Sequence, residues 1–168
     1  SIILEEGYGI NLIPLAQFAV NTYGDDPCTY FQTKGEEKAR SEKDMDMRIH
    51  KAISIIQFKL EGQLVRRRPE YNMEDRDLLS RIDFDTMKIE QNGKYYDLLD
   101  KNLPTVDPAD PNRLSPEEAY VMERLQSAFM NCRRLQEHMQ LLLQKGELYT
   151  VTNGNLLFHG CVPMTEDG

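Results

Sequence analysis

The apolar repeat within residues 44–66 leaves few folds open to this chain. At 100° per residue, Ile49, Ala52, Ile53, Ile56, Leu60 and Leu64 fall on one arc of roughly 120°, the width of a helix stripe that faces a core. A second repeat is longer still. Ser115-Pro116-Glu117-Glu118 reads as a capping box with proline at the first helical position. Met122, Leu125, Phe129, Cys132, Met139 and Leu142 then recur every three or four residues until Lys145-Gly146, where glycine stops the helix. An unbroken helix of that length spans on the order of 45 Å. Packed against residues 44–66, it predicts a two-helix spine.

Shorter elements fill the rest. Asn11 is placed to cap a helix over residues 12–23, with Pro14 in its first turn, Gly24 past its end and Leu12, Leu15, Ala16, Ala19 and Val20 as its buried side. Residues 32–43 have no apolar anchor and read as a solvated, mobile loop. After Pro69, Asn72 could cap a short helix over residues 73–82. Gln91-Asn92-Gly93 between residues 87–90 and 94–98 marks a hairpin. Residues 102–113 hold Pro104, Pro108 and Pro111 and read as an extended linker. The expected class is mainly α (α+β): two long helices, shorter helices and two small β-hairpins.

The second hairpin carries the candidate chemistry. Residues 148–152 and 155–159 flank Asn153-Gly154, the dipeptide favoured by a type I′ turn. Leu156, Leu157 and Phe158 run apolar, as in a strand buried on both faces, and His159-Gly160 follows. A histidine at a strand end has a ring nitrogen free for a metal or a proton, although a lone one is more often a hydrogen-bonded structural residue. His50 lies on a mostly polar sector of the first long helix and reads as a surface or capping group, with facing the site as the alternative; His138 has no second ligand at i+4 and reads as structural or exposed.

A sector of the first long helix, read as opposite its apolar stripe, holds Arg48, Lys51, Lys59 and Arg66 within about 80°, with Ile55 and Gly62 leaving space between the cations. Such a stripe is a solvated face, or it grips a phosphate. A net charge of −8 disfavours a nucleic-acid backbone as partner, though a local basic cluster can still bind a sugar phosphate. Cys28, Cys132 and Cys161 are widely spaced and form no C-x-x-C pair, which favours a reducing cytoplasm over a disulfide framework. Cys161 beside His159-Gly160 reads as a small buried hydrophobe, although it is also the one thiol near the candidate site. No apolar run approaches the ~18 residues needed to span a membrane.

Asn155-Leu-Leu-Phe-His-Gly-Cys-Val-Pro163, Gly7-Tyr-Gly-Ile-Asn-Leu-Ile-Pro-Leu-Ala16, Asp26-Pro-Cys28, His50-Lys-Ala-Ile-Ser-Ile-Ile-Gln-Phe-Lys-Leu-Glu-Gly62 and Arg67-Arg-Pro69 together resemble the class III fructose-1,6-bisphosphatases of the calcineurin-like metallophosphoesterase superfamily. The likeness covers nearly the whole chain. It implies hydrolysis of the 1-phosphate of fructose 1,6-bisphosphate to fructose 6-phosphate, a gluconeogenic step, on two manganese ions. It also implies that a strand ending in His-Gly supplies one metal ligand, a role that falls on His159 alone.

The superfamily's Asp-x-His, Gly-Asp-x-x-Asp-Arg-Gly and Gly-Asn-His-Asp motifs do not occur in this sequence. The chain therefore reads as an excised middle piece. Residues 1–147 would form a helical insertion, and 148–168 would be a hairpin and His-Gly loop belonging to the catalytic core. In that reading no general acid or other catalytic residue lies in this piece, which is inactive alone. Arg48, Lys51, Lys59 and Arg66 would hold the phosphate that is not hydrolysed, and a homo-oligomer is left open by the sequence. The competing reading is a non-catalytic helical interaction module.

Overall fold

The computed structural model describes residues 3–32 and 40–160. Most of the expected loop at 32–43, together with Cys161, lies outside those residues. The class is mainly α with two small antiparallel sheets. Helix α1 spans Ile13–Tyr23 and α2 Arg40–Arg67; α3 spans Pro116–Asn131 and α4 Arg133–Lys145. One sheet is a meander of β1 (Ile82–Asp83), β2 (Lys88–Gln91) and β3 (Lys94–Asp97), and the other pairs β4 (Tyr149–Thr152) with β5 (Asn155–Phe158).

Helix α1 packs along α2 and also touches α3. The main core joins Leu15, Phe18, Ala19 and Tyr23 of α1 to Ala52 and Ile56 of α2 and Val121 and Leu125 of α3. The expected two-helix spine is thus a three-helix cluster with the short helix inserted. Phe18 and Tyr23 are buried where Val20 was expected, and Val20 is exposed. The Asn11 side chain does accept from the Ile13 N–H, at 2.9 Å, but Leu12 occupies the N-cap position, so α1 starts one residue later than expected.

The opposite placement of the basic sector on α2 does not hold. At 100° per residue Lys59 lies only about 20° from Ala52, so the basic sector adjoins the apolar stripe. A second core follows from this, in which Ile55 packs with Leu79 and Val106. The segment 102–113 is irregular, as its prolines require, but it is strapped over α2, with Val106 and Asn112 buried. The expected helix over 73–82 is replaced by 3₁₀ turns at Pro69–Tyr71, Glu74–Arg76 and Leu79–Arg81. Asn72 adopts φ 49° and closes the first of these turns instead of starting a helix. Buried Asn112 then draws the Asp77 carboxylate and the Ser80 hydroxyl to its amide, at 2.7 and 3.0 Å.

The long C-terminal helix is also broken. Its start is as expected: Ser115 Oγ accepts from Glu118 N–H while Glu118 accepts from Ser115 N–H. At Cys132 the backbone turns to φ −78°, ψ 97°. The Cys132 thiol donates to the Tyr8 carbonyl at 3.2 Å, and Gln136 bonds the Phe129 carbonyl freed by the break. Both expected hairpins are present, with Asn92 and Gly93, and Asn153 and Gly154, at the positive φ that a type I′ turn demands. The strand β1 was not foreseen; it is two residues long.

Candidate functional site

The four candidate cations of α2 go to four different sets of partners within the chain. Lys51 is 0% exposed and its ammonium lies 2.6 Å from Asp26 and 2.7 Å from Asp100. The recess beside it is lined by Asp25, Asp26 and Asp100 together with Lys101, so carboxylates outnumber cations there, which disfavours a phosphate. Burial works to raise the Asp26 carboxyl, but hydrogen bonds from Lys51, the Cys28 N–H and Asn102 outweigh it and hold Asp26 below its ordinary pKa. The adjacent Cys28 thiol is pushed up to about 11, first by burial and then by the Asp26 charge.

Lys59 is also wholly buried. It donates to Glu118 Oε2 and to the Thr105 carbonyl, both at 2.6 Å. Glu118 accepts from Thr105 Oγ1 through its other oxygen. Arg48 bonds the Tyr23 and Gly24 carbonyls, where the α1 dipole ends. Arg66 is half exposed and reaches Asp110 and Ser80. Sequence reasoning missed the carboxylates, because Asp26, Asp100 and Glu118 stand 25, 49 and 59 residues from their lysines. Lys51 and Lys59 are therefore not a wetted face: both are buried and ion-paired within the described chain.

The histidines separate in the same way. The His50 ring bonds the Phe31 carbonyl, and His138 Nδ1 meets the Tyr8 hydroxyl at 3.0 Å. His159 is exposed just past β5, with Gly160 at φ +83° and nothing within 4 Å of where a Cβ would stand. Among the described residues no group of three or more His, Cys, Asp or Glu converges as metal ligands. The hairpin is not buried as its apolar run predicted: Leu156, Leu157 and Phe158 are 53%, 51% and 50% exposed. Among the described residues the two strands have no second layer to cover them.

What the geometry offers is a single accessible imidazole at the end of an apolar, uncovered strand. The model of the Firmicute fructose-1,6-bisphosphatases matches residues 1–168.

The chain belongs to the Firmicute fructose-1,6-bisphosphatase family.

Its similarity to the class 3 fructose-1,6-bisphosphatase of Listeria innocua is 52% identity over 169 residues, 99% of this chain and 26% of that protein. The Clostridium tetani enzyme of the same name is 50% identical over 98% of this chain and 25% of its own length. That of Phocaeicola vulgatus is 50% identical over 98% and 26%. No solved structure matches the chain. The chain thus spans about a quarter of the length of the curated fructose-1,6-bisphosphatases it matches. Among the described residues, no helix is long and apolar enough to cross a membrane.

Proposed function

We propose that this chain is one part of a cytoplasmic, gluconeogenic fructose-1,6-bisphosphatase that removes the 1-phosphate of fructose 1,6-bisphosphate. The observation that carries the reading is the exposed His159 at the end of the uncovered β5. In this reading residues 1–147 form a helical insertion, while 148–168 join the catalytic sheet. His159 is then a ligand whose partners come from polypeptide beyond these residues. Two manganese ions bound there would polarise the phosphoryl oxygens and lower the pKa of a water. One imidazole does not hold two metals, so the 168-residue chain alone neither binds manganese tightly nor turns over substrate.

The test is metal analysis of the full-length enzyme bearing His159→Asn. Loss of bound manganese together with activity, at unchanged melting temperature, is the expected result. A variant with full metal content and full activity rejects the role. Of the four cations, Arg66 is the most exposed, and a second phosphate would have to compete with Asp110 and Ser80 for its guanidinium. Arg66→Glu should raise KM for the bisphosphate far more than for a monophosphate, and equal changes would reject that part.

A further inference from the structure

Helix α4 and the β4–β5 hairpin have more apolar surface than the rest of the described chain covers. On α4, Leu135, Met139, Leu142 and Leu143 lie within about 100° of arc. Leu135 is half-buried, yet Met139, Leu142 and Leu143 are 45%, 61% and 81% exposed. In the hairpin Tyr149 pairs with Phe158 and Val151 with Leu156. Cross-strand partners share a face, so these four form one apolar side. Leu157 alone breaks the other side, among Thr150, Thr152 and Asn155. The outer edges of β4 and β5 are unpaired among the described residues.

These two elements follow one another directly and form the C-terminal arm of the described chain. Gly146–Leu148 joins them, and the contacts that direct α4 are polar ones gathered at its first two turns: Tyr8 to His138 at 3.0 Å, Arg134 to the Gly7 carbonyl at 2.9 Å and Cys132 to the Tyr8 carbonyl. The clamp holds the arm's base and leaves its apolar stripe uncovered.

We infer that this arm is the surface on which the remainder of the same polypeptide packs. The relatives are about four times as long as the stretch matched here, so a large body of chain is tethered close by at high effective concentration. A second copy suits the surface less well. Edge-to-edge pairing of two hairpins yields a four-stranded sheet, and both of its faces, one carrying Tyr149, Val151, Leu156 and Phe158 and the other Leu157, would still need a covering layer. The inference deepens the reading of β5 as a strand of a larger sheet, and it does not require His159 to bind metal.

Native-state amide hydrogen exchange on the full-length enzyme tests it, alongside Leu142→Glu. Amides of α4 and of 149–158 should exchange at least ~1,000-fold more slowly than in an uncovered hairpin. The variant should melt at lower temperature with its oligomeric mass unchanged. Fast exchange in the arm, or an unaltered melting temperature, overturns the inference. So does a variant that splits a multimer into subunits whose internal exchange is unchanged, which assigns the surface to a second copy. His159→Asn separates this from the metal role: a protected arm that keeps its manganese leaves the docking intact and removes only the ligand.

Discussion

The Lys59 ammonium lies 2.6 Å from Glu118 Oε2, and both side chains are 0% exposed. The contact ties the middle of α2 to the first turn of α3, and the Thr105 carbonyl, 2.6 Å away, ties in the proline-rich strap as well. Glu118 is at once the capping-box residue and the counter-ion. Removing one charge from such a pair leaves the other desolvated and alone, at about 3–5 kcal/mol. Lys59→Met should therefore loosen α2 and α3 strongly, as read by native-state hydrogen exchange. Lys59→Met with Glu118→Gln keeps the capping geometry without a stranded charge, and most of the loss should be recovered. If the double variant is no more stable than the single, the pair is not the cause.

Gly62 faces Asn112 so closely that a Cβ at this position would run into the side-chain amide. That amide cannot swing away without leaving Asp77 and Ser80. Gly62→Ala should cost about 1–3 kcal/mol, the usual range for overpacking a filled interior. Adding Asn112→Ser should return part of it in a thermal melt, despite the lost hydrogen bonds.

Acid should act through Asp26. Its folded pKa lies below the ordinary 3.8, so the stability it contributes is fully present above that value. It is lost as the pH falls from about 4 through the lower folded value, where protonation strips Lys51 of one partner. Asp26→Asn should be less stable at neutral pH and show a flatter decline below pH ~4. An unchanged slope in the acid limb of a pH-denaturation curve would count against the pair.

Thiol chemistry gives the fourth check. Cys28 is 1% exposed and its pKa is pushed up to about 11, so almost no thiolate exists near neutrality. Alkylation read by mass spectrometry should leave Cys28 unmodified in the native protein and label it in denaturant. Rapid native labelling at Cys28 would contradict its burial.

The sequence by itself determined the elements whose cause is local. The Asn-Gly turns, the Ser115–Glu118 cap, the apolar arc of α2 and the stop at Gly146 each depend on residues within a few positions of one another, and each is where local rules place it. The family, too, was legible from runs of residues. Tertiary structure decided the rest, because its causes act across 25 to 130 residues. A lysine beside an apolar arc is solvated or buried according to whether a carboxylate arrives from elsewhere, and only the fold brings Asp26, Asp100 and Glu118 to Lys51 and Lys59. The same holds for the break at Cys132, where the carbonyl of the distant Tyr8 accepts a hydrogen bond from the thiol. The strand before His159 is apolar enough for an interior, yet it lies open because burial requires a covering layer, which the described residues do not supply.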